Sequence, residues 1–168
     1  ELYSNKAPIS VDNFIKNTNN FHYDGLIFHR VIKGFMIQSG GHTFDLSFRE
    51  SGREPIINES NNGLSNVRGS IAMARIADPD SAQAQFFINH KNNRRLDSSS
   101  AKPGYTVFGT VVSGMDVVDA IAAVDGLQCP RALVEERVLG SDDAAVQAGP
   151  GDERFDGRPQ VVASLHRS

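Results

Sequence analysis

Cysteine is nearly missing from this chain, tryptophan is missing altogether, and there is neither a basic excess nor a long apolar run. A lone Cys129 cannot form an intramolecular disulfide and cannot build a thiolate zinc site. Seventeen Lys and Arg against twenty Asp and Glu leave a net charge of -3. The chain thus lacks the basic footprint that holds nucleic-acid phosphates. No apolar stretch approaches the length of a bilayer-spanning helix, and the opening residues, ELYSNKAP, carry neither a basic start nor an apolar signal core. Neither a nucleic-acid nor a membrane partner is expected, and the compartment stays open between cytoplasm and a bacterial periplasm. His22, His29, His42, His90 and His166 lack ligand spacing, so no metal is expected.

Ten Phe within 168 residues predict one domain, 1–168, with a core built around phenylalanine. The segment SVDNFIKNTNN places Val11, Phe14 and Ile15 on one helical face, with Ser10 as cap. LIFHRVI, FMIQ, GSIAMAR, AQAQFFINH and YTVFGTVVSG read as strands, and IADPDS between two of them as a turn. Residues 43–66 are polar and Gly-broken, which predicts a long irregular connection. GMDVVDAIAAV gives a second helix with Val117, Ile121 and Val124 inward and Asp116 and Asp119 outward. Residues 126–157 are Arg-, Ala-, Gly- and Asp-rich and read as a solvated loop or insertion before a closing strand at Gln160–His166. Arg94 and Arg95 read as a solvated pair.

One hairpin places polar groups among apolar ones: FHRVIKGFMIQSGG, residues 28–41. A two-residue loop, Lys33-Gly34, puts Arg30 opposite Ile37 and sends Gln38 to the other face. A three-residue loop, Lys33-Gly34-Phe35, puts Arg30 directly across from Gln38, with Met36 on the same face and Phe35 at the loop's end. The first arrangement makes Arg30 an ordinary solvent-facing side chain. The second makes a shallow site able to receive a peptide.

Taken together, KAPISVDNF, FHRVIKGFMIQSGG, PIINESNNGLSNVRG, GSIAMAR with SAQAQFFIN, and GYTVFGTVVSGMDVVDAI resemble the cyclophilin-type peptidyl-prolyl cis-trans isomerases, especially bacterial ones. The resemblance runs from about Lys6 to Ile121. It implies a mainly β fold, an eight-stranded antiparallel barrel capped by two helices, here with its first strand truncated. It further implies an isomerase that is a monomer, acts on proline-containing peptides and unfolded protein clients, and needs no cofactor. By motif, Arg30 resembles the catalytic arginine, with Phe35 and Gln38 beside it. Met36, Ala74, the backbone of Arg75, Gln85, Phe87 and Leu96 match peptide-binding positions, and Tyr105 stands where many eukaryotic members have histidine. Phe86 and Ile88 alternate inward. Arg95 replaces the aromatic that usually precedes the pocket leucine, which implies weak cyclosporin inhibition. Lys33 and Ser39 replace the usual Pro and Gly. The alternative is a cyclophilin-fold peptide-binding or chaperone module with little or no catalysis.

Overall fold

A computed structural model describes residues 1–124. The segment 126–157 and the strand read at Gln160–His166 lie outside the described residues. The described chain is mainly β with two helices: α1 Pro8–Asn19, β1 Arg30–Ile32, β2 Met36–Ser39, β3 Ser70–Met73, β4 Phe86–Asn89, β5 Val107–Thr110 and α2 Met115–Ala122, with a 3₁₀ turn at Arg94–Leu96.

The five strands form one antiparallel sheet in the order β1-β2-β4-β3-β5. This differs from the eight strands expected. Elsewhere among the described residues, extended pairing is limited to isolated bridges such as Leu2–Gly109, Leu26–Thr43 and Ile56–Ala82. The connection between β2 and β3 turns at Gly52, Gly63 and Gly69, all at positive φ, which interrupts any longer ladder. Residues 1–3 lie along β5: Tyr3 donates its N–H to the Phe108 carbonyl at 2.8 Å, and Thr110 donates to the Glu1 carbonyl at 2.9 Å.

Strand alternation sorts the side chains into two clusters. Val31, Ile37, Met73, Phe86, Ile88 and Phe108 join the buried residues of both helices in the larger core. Met36, Ala72, Phe87 and Val107 form a second cluster on the other face. Because both faces are covered, β4 is buried at every position, and its sequence, FFIN, is nearly continuous in apolar residues.

Each helix sits in a rotation that its apolar residues alone misstate. In α1, Val11 is buried and Phe14 packs on Tyr23, Phe86 and Phe108 at centroid distances of 5.1, 5.4 and 5.2 Å. Ile15, expected inward, is 42% exposed, while Asn13 and Asn17 are buried. Asn13 tolerates burial because it donates to the Gln83 carbonyl and accepts from Arg53 Nε at 3.1 Å. Nor is Ser10 the cap. The helix opens at Pro8, and the carboxylate of Glu59 accepts from the N–H groups of Ile9 and Ser10 at 3.1 and 2.8 Å and from the Ser10 hydroxyl at 2.7 Å. A distant anion thus satisfies the orphan donors and meets the positive end of the helix dipole.

In α2 the inward stripe is Val118, Ile121 and Ala122; Val117 and Val124, expected inward, are exposed. This rotation brings Asp119 to Arg68 at 2.8 Å and to His90 at 3.1 Å. The arginine's hydrogen bond holds the Asp119 carboxyl below the usual carboxylate range, and His90 reinforces the effect.

Candidate functional site

The hairpin adopts the three-residue loop. Ile32 pairs with Met36 and Arg30 with Gln38, while Gly34 takes φ 70 and Phe35 donates its N–H to the Ile32 carbonyl at 2.9 Å. A positive φ at that point is open to glycine without strain. Arg30 donates from a terminal guanidinium nitrogen to Gln38 Oε1 at 3.3 Å. Gln38 in turn donates to Gln85 Oε1 at 2.9 Å. Three residues from β1, β2 and the approach to β4 therefore form one polar row, and each amide is oriented by its neighbour. Ser39, buried, donates its hydroxyl to the Ile27 carbonyl at 2.9 Å and ties β2 to the chain entering β1.

Beside that row lies an apolar cluster. Met36, Ala72, Phe87 and Val107 are its buried members, and the partly buried Ile32, Phe35, Leu64, Ala74, Leu96 and Tyr105 pack against them. Phe87 is the register partner of both Gln38 and Ala72, and its ring meets that of Tyr105 edge-on at 5.6 Å. The structure thus brings together Met36, Phe87, Phe35, Ala74, Leu96 and Tyr105, with Arg30, Gln38 and Gln85 alongside. Sequence reasoning missed Ile32, Leu64, Ala72 and Val107. Period two from Arg30 and Phe87 could have pointed to Ile32, but Leu64 sits in an irregular loop and left no such signal.

Arg95 departs from expectation, and the Arg75 side chain has contacts that were not expected. Past Met73, Ala74 still donates its N–H to the Gln85 carbonyl at 2.9 Å, and the backbone N–H and C=O of Arg75 make no hydrogen bond among the described residues. The Arg75 side chain, by contrast, lies over the Tyr105 ring at 4.6 Å and donates to the carbonyls of Gly104 and Pro103, each at 3.2 Å. Arg95 is exposed but not simply solvated: its guanidinium stacks over the Phe35 ring at 4.7 Å.

A chain of buried amides holds the pocket walls in register. Asn93 donates to the Phe35 carbonyl at 2.8 Å and to Asn89 Oδ1 at 2.7 Å. Asn89 donates to Asn66 Oδ1 at 3.1 Å and to Ser70 Oγ at 2.9 Å. Asn66 reaches Asp97 Oδ1 at 3.0 Å and the Tyr105 carbonyl at 3.3 Å. The hairpin loop, the 3₁₀ turn and the entry to β5 are thereby linked through one network. On the same side, Gly104 passes so close to the turn that an added Cβ would lie 2.6 Å from the Leu96 carbonyl oxygen.

Under the polar row sits a pair of histidines that the sequence keeps thirteen residues apart. The rings of His29 and His42 lie 4.4 Å apart, both buried. Burial first, and then the neighbouring His42, pushes His29 down to about 3, against an opposing hydrogen bond from Gln85. His29 is therefore neutral near pH 7 and packs beneath Gln85 rather than acting as a base.

Residues 1–139 match the sequence model of the family described as cyclophilin type peptidyl-prolyl cis-trans isomerase/CLD. The chain belongs to that family. This cyclophilin-type chain is 55% identical over 125 residues to a peptidyl-prolyl cis-trans isomerase of Acinetobacter baylyi, covering 74% of this chain and 65% of that protein. It is 53% identical over 127 residues to one from Streptomyces antibioticus, covering 74% and 76%. The chain spans a little under two thirds of the length of the Acinetobacter relative and of a Dickeya dadantii one. Among solved structures, a Cryptosporidium parvum cyclophilin-type isomerase crystallised in the presence of the dipeptide Ala-Pro aligns with TM-score 0.59 and 25% identity, covering 73% of this chain and 77% of that one. A cyclophilin from Hirschia baltica aligns with TM-score 0.64 at 24% identity, covering 78% and 65%, and shares the fold.

Proposed function

We propose that this chain catalyses rotation about X-Pro peptide bonds in flexible or unfolded protein segments and so assists folding. The observation that carries this reading is the Arg30–Gln38 pair standing at the rim of the Met36, Phe87, Phe35, Leu96 and Tyr105 pocket. The names of the bacterial relatives and the Ala-Pro dipeptide of the Cryptosporidium structure support it.

Amide resonance sets a barrier of roughly 18–20 kcal/mol, and an uncatalysed prolyl bond turns over in about 10–100 s. No covalent bond has to break. In the twisted state the prolyl nitrogen becomes pyramidal and gains a lone pair that the planar amide does not offer. Arg30 donates to that lone pair, a bond that strengthens only as the peptide twists. A hydrogen bond to a charged group is worth about 1.5–3 kcal/mol, hence about one to two decades in rate. The remainder comes from the apolar residues gripping the proline ring, from Gln38 and Gln85, and from the Arg75 backbone aligning the flanking peptide groups. The same reading takes the chain as one domain built on an eight-stranded antiparallel barrel, to which residues 1–3 along β5 contribute.

An NMR exchange assay on an Ala-Pro peptide tests the mechanism. Arg30→Ala is expected to lower kcat/KM by about one to two decades while the folded spectrum is retained. A folded Arg30→Ala variant with undiminished rate rejects the mechanism. Peptide binding without turnover in the parent protein gives the binding-module reading instead.

A further inference from the structure

Leu96 and Tyr105, which pack on the apolar cluster, also line a cleft of about 360 Å³, with Arg75, Arg95, Lys102 and Asp97 among its other lining residues. Three cations face one carboxylate there, on a chain whose net charge is -3. Asp97 offsets one of them in part, and its Oδ1 is anchored by the Asn66 backbone and side chain, which donate to it at 2.7 and 3.0 Å. None of the three cations is in an ion pair among the described residues.

Each of the three is in contact with a neighbouring group. The Arg95 guanidinium carbon lies over the Phe35 ring, 4.7 Å from its centroid, and a guanidinium in cation–π contact keeps N–H donors for a further partner. Lys102 donates its ammonium to the Arg95 carbonyl at 3.3 Å, which holds a second charge at the same turn. Arg75 is stacked on Tyr105 at 4.6 Å. Two of the aromatic residues around the proline pocket therefore each carry an arginine, and the cleft shares Leu96 and Tyr105 with that pocket.

We propose that this cleft is a subsite for an acidic side chain of the substrate, one or two residues from the proline, with Arg95 as its specificity-determining residue. The proposal rests on the isomerase reading above only for the placement of proline beside it. Consecutive Cα atoms are about 3.8 Å apart, so a Glu at either distance reaches from the pocket to the adjoining cleft. Carboxylate is the fitting chemistry because a guanidinium edge binds it through paired N–H groups, while the half-exposed setting keeps the gain modest and salt-sensitive.

The test measures dissociation constants by NMR titration, which requires no turnover. The probes are Ala-Pro peptides carrying Glu or Gln at each of the two positions before and after proline. At low salt the Glu peptide is expected to bind about three- to tenfold more tightly than its Gln twin at one or more positions. The ratio should shrink toward one at high salt, invert in Arg95→Glu and survive in Arg95→Lys. Lys102→Glu, a change remote from the Phe35 ring, should lower the same ratio. Equal affinities of the Glu and Gln peptides at all four positions, or a ratio that Arg95→Glu leaves intact, overturn the subsite. Failure of the isomerase reading is distinguishable, since it is seen as absence of exchange catalysis while the charge preference persists.

Discussion

Gln38 is held from both sides, by Arg30 at 3.3 Å and by Gln85 at 2.9 Å, so its amide cannot flip without losing a partner. An amide presents a donor at one end and an acceptor at the other, and only one orientation offers Oε1 to Arg30 while Nε2 reaches Gln85. In the proposed mechanism Gln85 acts through Gln38 as a positioning residue. Gln85→Leu is expected to lower kcat/KM about two- to tenfold in the exchange assay, the range set by one neutral hydrogen bond of about 0.5–1.5 kcal/mol. A smaller effect than that of Arg30→Ala is required, because Gln85 does not reach the reacting nitrogen in this scheme. Arg30, Phe35, Gln38, Gln85 and Phe87 were singled out in the sequence by the motifs of the family resemblance, since counting along the hairpin left two registers open. Arg95 on Phe35 was not, since stacking across a turn has no period.

Among the elements, the pocket is held more by loops than by strands. The network of Asn66, Asn89 and Asn93 joins the β1–β2 loop to the turn at Arg94–Leu96 and to the entry of β5. Asn89 is its centre, donating to Asn66 and Ser70 and accepting from Asn93. Asn89→Ala leaves several buried polar atoms unpaired, and a loss of about 2–4 kcal/mol is expected in urea unfolding. Peptide affinity should fall with it, because Phe35 and Tyr105 lose their shared tether. The helices teach the same lesson in sequence terms. Apolar spacing located α1 and α2, yet it set the wrong rotation, because Asn13 and Asn17 are buried by their hydrogen bonds and Asp119 is drawn to Arg68 and His90. A buried amide and an ion-paired carboxylate read as surface residues until their partners are known.

For the molecule as a whole, buried His29 gives stability a pH dependence of defined sign. His29 titrates near 3 in the folded chain and at its ordinary 6.5 when unfolded. Between those values the unfolded chain takes up a proton that the folded chain rejects, so stability falls as pH drops through that window, by about 1.4 kcal/mol per unit. Above 6.5 this group contributes no slope. Urea midpoints measured from pH 7 to pH 4 should show the decline, and His29→Leu should flatten it. An identical slope in that variant assigns the acid sensitivity to other groups.

The cyclophilin fold was implied by the resemblance of whole motifs, whereas the five described strands and the hairpin follow from residue spacing itself, because period two and a glycine-centred turn act over neighbouring residues. Even there, sequence left two registers open, and only the pairing of Ile32 with Met36 selected the one that joins Arg30 to Gln38. Tertiary structure alone decided the rest: the Glu59 cap on α1, the asparagine network, the His29–His42 pair, and the two arginines laid over aromatic rings beside the pocket. Each of these joins residues from separate elements through a directional contact, and such contacts depend on where the core places its strands, which local periodicity does not encode.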